Sequence, residues 1–471
     1  MSQGGVEFPN QPMDVVALGR RSLTYALGGL AYKGVALLAL PVLARILSPA
    51  QLGLLDLAAV LATMVGLVAV LGTDQGVAYV EPRSDGKAGV WSSALVLVSA
   101  IAGGLLLAAL LFGDSLAALL TGRLDNHYII VAAAVYGWVF ALTLTALNAI
   151  RLHGSPRTYA LASFAVVSAE MTAALLIAWR VASPVGLIVL SWAGAALLVT
   201  APLLIRFVPS FDRPRAATVR RLVSFGAPLV PATVAWVIGD AWIRGVVARG
   251  LDLSALGEYG IASRIASVAL LVATGFAVAW QPYMFRSPAE EVRQRAGSAL
   301  PSVILGLGLL AVGLTLLAPE IVMVVAGDAY AGAADVVAAL SAGAVALGVF
   351  SLLAAVTAAE GRTRRVGLAA LAGVAVQFLS APALVAVMGL PGAGVASFGG
   401  YAVALAMLAT AHRELLRRGS PSIVGLVTGL VAAGLVAADL LQDWHLVLRC
   451  TLMLAVGILA AAVMDRRRLG T

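Results

Sequence analysis

Apolar residues in this chain fall in long blocks of about 20 to 28 residues, separated by short stretches that carry most of the charge. A helix of that length spans a hydrocarbon core of roughly 30 Å at about 1.5 Å per residue. The blocks lack the two-residue alternation of outer-membrane barrel strands. Helices are then the remaining way to satisfy backbone polar groups in lipid. The pattern predicts spans at 22–47, 54–80, 89–112, 127–150, 159–180, 184–206, 223–249 and 256–285. It continues at 297–318, 334–359, 366–388, 392–411, 422–440 and 446–464, with a pair among the last four open to a re-entrant reading. The fold class is all-α: a polytopic membrane protein of about fourteen helices.

Composition agrees with this reading. Hydrophobic residues make up 61% of the 471 positions and charged residues 11%, against roughly 25% charged in a soluble domain. Charge also orients the chain. With the N-terminus inside, twenty-three of the 31 Lys and Arg residues fall on the cytoplasmic side. Five fall outside (Arg45, Arg123, Arg180, Arg249 and Arg449), and Lys33, Arg244 and Arg264 lie within spans. That bias predicts cytoplasmic N- and C-termini. The net charge of +8 is thus an orientation signal. The run Arg213 to Arg221 lacks interleaved aromatics, so it reads as a loop beside anionic lipid headgroups and not as a nucleic-acid surface. The first 13 residues carry no basic n-region, so the first span is expected to be a retained anchor. The single cysteine, Cys450, lies in the last apolar block and reads as packing. The abundance of Ala, Gly, Val and Arg, with only two lysines, suggests a bacterial source.

Laying the first span over the seventh reveals a repeat. Arg20-Arg21 open one unit and Arg220-Arg221 the other. Each unit continues with a long helix, a short outer loop and a second helix. The loop Ser48 to Ala58 aligns with Ser254 to Ala262, placing Leu52-Gly53 over Leu256-Gly257. Units separated by six spans and starting on the same side are parallel repeats about the membrane normal. They divide the chain into an N-terminal lobe (1–206), a cytoplasmic interlobe loop (207–222), a C-terminal lobe (223–411) and an extra helix pair with a basic tail (412–471).

No nucleophile motif, phosphate loop or metal-ligand spacing stands out, and His127, His153, His412 and His445 all lie at loops or helix ends. The chain is therefore not expected to be an enzyme or to need a cofactor. The informative residues are ionisable groups inside apolar spans, each costing roughly 2.5 to 3.5 kcal/mol at a helix centre. Lys33 lies about 18 Å past Arg21 along a helix. Asp240 and Arg244 are four apart on one helix face, with Trp236 on the same stripe. Arg264 lies in the outer half of the eighth span, Glu170 near the middle of the fifth, and Asp74 towards the inner end of the second. Asp240 and Arg244 either pair to fix packing or serve function. Lys33 and Arg264 have no carboxylate three or four residues away on the inward turns, so they face a watery cavity or find partners on other helices; the reading adopted is the cavity. A cationic cavity suits an anionic headgroup, whose phosphate oxygens Arg can hold in bidentate fashion. Pro228 and Pro231 are expected to interrupt the start of the seventh span and Pro282 the end of the eighth, as hinges or as plain kinks.

Residues 221 to 286 contain Arg221-Leu-Val-Ser-Phe-Gly-Ala-Pro-Leu-Val-Pro231, Asp240-Ala-Trp-Ile-Arg244, Leu256-Gly-Glu-Tyr-Gly-Ile-Ala-Ser-Arg264 and Ala279-Trp-Gln-Pro-Tyr-Met-Phe285. Together with Leu43-Ala-Arg-Ile-Leu-Ser-Pro-Ala-Gln-Leu-Gly53, this resembles bacterial oligosaccharide flippases of the Wzx type. Their superfamily also holds lipid II flippases and multidrug and toxin extrusion (MATE) transporters. The resemblance covers the first 290 residues; beyond them only hydropathy matches. It implies two six-helix lobes around a central cavity, with two additional C-terminal helices, and alternating access in the bacterial inner membrane. It also implies export of a polyprenyl-diphosphate-linked oligosaccharide for surface polysaccharide, alongside a polysaccharide polymerase or glycosyltransferases. Arg264 and the Asp240–Arg244 pair fall on the family's patterned positions, and Lys33 is added from its depth.

On this reading the diphosphate sits against Lys33, Arg244 and Arg264, the sugars occupy the cavity, and the prenyl tail stays in lipid. Membrane potential alone drives the step, or Asp74, Asp240 or Glu170 couples it to an ion. Three other readings stay open: a cation-coupled drug antiporter of the same fold, a non-transporting scaffold, and a membrane glycosyltransferase or ligase. The last requires a large outer loop, which the span pattern does not provide.

Overall fold

A computed structural model describes residues 34–412, apart from 36, 84–88, 183, 209–211, 228–229, 285–288 and 361. Lys33, Pro228 and the last two predicted spans lie outside the described residues. The described residues are helical and contain no strand. The end of the first span is α1 (Leu37–Ile46). It is followed by α2 (Pro49–Val70), α3 (Thr73–Val80), α4 (Val90–Thr121), α5 (His127–His153), α6 (Pro156–Arg180) and α7 (Val185–Phe207). A short α8 (Ala216–Gly226) precedes α9 (Val230–Gly250), α10 (Leu253–Met284), α11 (Ala289–Leu316) and α12 (Ala318–Val325). The described part closes with α13 (Ala334–Ala359), α14 (Thr363–Met388) and α15 (Leu390–Ala411). Among the described residues nine helices are long and apolar enough to cross a membrane, or ten if the pair Ser302–Leu316 and Ala318–Val325, bent by 69°, is one span. The chain is a multi-pass membrane protein. α14 and α15 both have spanning length.

Local chemistry explains where the helices depart from the hydropathy reading. The second predicted span is broken into α2 and α3 at Leu71 and Gly72, both left-handed with φ of 47° and 67°. α4 runs nine residues past its predicted end, because Leu116 to Leu120 continue the helix and it stops only at left-handed Gly122. The predicted seventh span is interrupted near its start: α8 ends at Gly226 and α9 begins at Val230, with Pro231 in its first turn, where a missing N–H breaks no helical bond. Pro282 lies in the last turn of α10.

The helices pack as two groups, α2 with α4 to α7 and α9 to α11 with α13 to α15, joined chiefly where α2 meets α9 and α10. At one end the two aligned sequence segments start equivalent helices. Ser48 Oγ caps α2 by accepting the Gln51 amide, and Asp252 Oδ1 accepts the Ala255 amide at the start of α10. The aligned glycines then touch: a Cβ on Gly53 would overlap the Leu253 carbonyl, and one on Gly257 the Pro49 carbonyl. The same end is tied by the Tyr330 hydroxyl donating to the Leu47 carbonyl at 2.9 Å and by Arg45 to the Val324 carbonyl at 2.8 Å.

At the opposite end, which carries the arginine-rich connections, the segment read as a loop over 207–222 contains α8. This amphipathic helix is strapped to the first group. Leu222 is fully buried among Val77, Val80, Trp91 and Ala149. Phe225 stacks on Tyr79 with ring centroids 4.4 Å apart, and Ser93 accepts from the Arg215 amide. Gly226 lies against the Leu71 and Gly72 carbonyls, where no Cβ fits. Gly226→Ala is therefore expected to loosen α8, seen as faster amide exchange over 216–226 than in the parent protein.

Candidate functional site

α2, α9 and α10 bring four charged groups together inside the helix bundle. Asp56 lies seven residues into α2, about 10 Å from its start at 1.5 Å per residue. Its carboxylate bridges two helices of the second group: Oδ2 accepts from Arg244 Nε at 2.7 Å and Oδ1 pairs with Arg264 Nη2 at 2.9 Å. Arg244 also pairs with Asp240 one turn back on α9, as the four-residue spacing predicts. Its guanidinium lies 5.3 Å from the Tyr259 ring centroid, and Nη2 reaches Ser263 at 3.5 Å. Tyr259 is held in turn by Ser397 at 3.0 Å. Gly260 leaves room for Asp56 to lie against the α10 backbone. Two arginines and two aspartates make the cluster electrically balanced, which meets the cost of holding charges away from water.

This geometry corrects one expectation. Arg264 is not an unpaired cation, because its carboxylate comes from another helix. Asp56 is the functional-site candidate that sequence reasoning misses: it falls at the very start of the predicted span 54–80, within the aligned stretch Ser48 to Ala58, whereas α2 already begins at Pro49 and sets it deeper in the helix. The available signal is an acid set in an otherwise apolar run from Leu52 to Leu61.

A cavity with largely apolar walls lies beside Arg264. Its volume is about 270 Å³, and its walls include Arg264, Thr63, Tyr136, Glu170 and Trp192. The two arginines differ here. Arg244 is buried and held by two carboxylates, while the Arg264 side chain is 29% exposed and its buried Nη1 has no acceptor among the described residues. Trp192 Nε1, on the same cavity, is likewise without an acceptor among them. Glu170 is buried and accepts from the Tyr136 hydroxyl at 2.9 Å. The residues lining this cavity thus include two with unfilled donors and one carboxyl group.

Asp74 does not join this cluster. It lies at the arginine-rich end on the wall of a second cavity of about 370 Å³, with Gln75, Asn148, Arg151 and Tyr159. Asn148 donates to the Asp74 carbonyl at 3.1 Å, and Arg151 donates to Asn148 at 2.8 Å. Trp236 turns to an aromatic cluster with Phe350 and Tyr401. Among the described residues no group of three or more His, Cys, Asp or Glu could hold a metal ion.

Residues 18–288, more than half of the chain, match the family described as polysaccharide biosynthesis protein. The chain belongs to that family. The matched stretch holds all four members of the Asp56–Arg244–Asp240–Arg264 cluster. No curated protein matches the chain in sequence. Solved structures share its fold at low identity. A lipid II flippase MurJ in an inward closed conformation superposes with a TM-score of 0.69 at 11% identity, covering 94% of this chain and 99% of that one. An inward-facing multidrug resistance MATE transporter of the MOP superfamily gives 0.55 at 14% identity, covering 89% and 96%. A point mutant of the Vibrio cholerae MATE transporter VcmN gives 0.53 at 15% identity, covering 85% and 98%. This member of the polysaccharide biosynthesis family therefore has the fold found in flippases and MATE transporters alike.

Proposed function

We propose that the protein flips a polyprenyl-diphosphate-linked oligosaccharide from the cytoplasmic to the outer leaflet of the bacterial inner membrane, for surface polysaccharide assembly. One observation carries the reading: Arg244 and Arg264 converge on Asp56 inside the helix bundle, and Arg264 lines a cavity while keeping a donor without an acceptor among the described residues. Phosphate oxygens are the acceptors that a guanidinium fork fits best. In this mechanism Arg264, with Arg244 behind it, receives the diphosphate, and Lys33 adds a third cation. The sugars lie in the space between the lobes, and the prenyl chain stays in lipid.

The lobes are residues 1–206 and 223–411, with 412–471 an added helix pair, and both termini are cytoplasmic. The contact of α2 with α10 at Gly53 and Gly257 closes the outer end. Alternating access separates these helices and closes the arginine-rich end instead. With the interior negative, outward movement of the anion is favoured by roughly 2.3 kcal/mol per charge per 100 mV. Asp240, Glu170 and Asp74 are the carboxyl groups placed to couple an ion to the step.

Arg264→Ala is expected to abolish surface polysaccharide while protein abundance stays at the parent level, because Asp56 keeps Arg244 as partner. Full polysaccharide production by a Lys33→Ala, Arg264→Ala double variant in the native bacterium rules the mechanism out. A second reading, a cation-coupled drug antiporter, draws on Glu170 and Tyr136 in the Arg264 cavity. It predicts drug efflux that Glu170→Gln abolishes and Arg264→Ala spares.

A further inference from the structure

Asp56 does more in this arrangement than balance charge. Both of its oxygens are committed, one to each arginine. It is 4% exposed, and Gly260 gives it a fitted seat on α10. An anion can touch the acceptor-free Nη1 of Arg264 alone, but to hold the whole guanidinium fork it must displace a carboxylate already in position, whose ordering was completed when the protein folded. Arg244 offers no alternative landing point, because Asp240 and Asp56 already hold it.

The competition has a different result for anions of different charge. The phosphodiester headgroup of a bulk anionic phospholipid brings one negative charge. Its exchange for Asp56 on Arg264 replaces one carboxylate–guanidinium pair by one phosphate–guanidinium pair, with no gain in charge. It also sets the new anion beside a displaced Asp56, and like charges brought together at a buried site repel. A diphosphate diester brings two charges on two linked phosphates. One phosphate can engage the free Nη1 of Arg264 before Asp56 is disturbed, and the second supplies the surplus that displaces it.

We infer that Asp56 is a specificity-determining residue, a built-in anion that sets a charge threshold at Arg264 and excludes the monoanionic phospholipids surrounding the site. Specificity here is a difference of affinities produced by a repulsive element. The inference rests on the flippase reading and assigns to that site its discrimination between lipid diphosphates and lipid phosphodiesters.

The test measures binding of two probes, undecaprenyl diphosphate and phosphatidylglycerol, to the purified full-length chain in detergent micelles. The parent protein is expected to prefer the diphosphate. In Asp56→Asn the phosphatidylglycerol affinity is expected to rise and the preference to fall by at least about tenfold, given the repulsion removed. Asp56→Glu is expected to keep most of the preference. Gly260→Ala crowds Asp56 without removing a charge and is expected to weaken the preference in the same direction by a smaller factor, which keeps the test available if Asp56→Asn does not fold. An unchanged preference in monodisperse Asp56→Asn, or in Gly260→Ala where Asp56→Asn does not fold, overturns the role given to Asp56 and leaves the flippase reading standing. A parent protein that binds neither probe overturns both.

Discussion

Arg244→Ala is expected to remove the folded protein from the membrane, a larger effect than that of any other single substitution in the cluster. Arg244 is buried and pairs with Asp56 and Asp240, which face it from α2 and from its own helix. Truncation leaves Asp240 without its counter-charge and Asp56 with Arg264 alone, and Asp56 is too enclosed to be rehydrated. Removing one partner of a buried ion pair costs about 3–5 kcal/mol. Loss of the guanidinium also strips the cation from the Tyr259 ring. Membrane abundance and thermal melting in detergent check this. Combining Arg244→Met with Asp56→Asn and Asp240→Asn is expected to recover much of the stability, since neutral groups need no counter-charge. The same triple variant is expected not to export polysaccharide, which separates the structural part of Arg244 from its place at the ligand site. Abundant, normally melting Arg244→Ala contradicts the assignment.

Gly257→Val is expected to stop export in a protein that still accumulates. The Cβ at Gly257 meets the Pro49 carbonyl, a backbone atom fixed in the first turn of α2. No rotamer change relieves that overlap, so α2 and α10 must separate at the end they share. The core beneath is untouched, which is why folding survives while closure fails. A cysteine placed at Leu52, buried in the parent protein, is expected to become reactive to an impermeant maleimide in the Gly257→Val background, with Cys450 replaced by serine. Unchanged labelling together with full export shows that the contact is dispensable.

Much of this architecture is legible in the sequence because lipid imposes a simple rule: every backbone group must be satisfied within its own helix. α13 has its predicted limits of 334–359, and α14 and α15 begin within three residues of theirs. The repeat that lays Leu52-Gly53 over Leu256-Gly257 corresponds to a physical contact between those segments. What stays hidden depends on neighbours far along the chain. The i to i+4 rule finds Asp240 and Arg244 on one helix, but it is silent on Asp56, 188 residues from Arg244. The partner of Arg264 is invisible for the same reason. Hydropathy also measures apolar length and not backbone conformation, so it reads straight through Leu71 and Gly72. It passes over α8 as well, a helix whose polar face meets water and which is too short to register as a span.

The break at Leu71 and Gly72 has a mechanical consequence. Because α8 is riveted to the short segment beyond it, the strap and α3 form one block, and Leu71 and Gly72 are the point at which α2 can bend against it. On the flippase reading, alternating access tilts α2 about that point, so its far end at Pro49 travels further than the arginine-rich end. Such a lever is asymmetric, with its fulcrum at one end of the span.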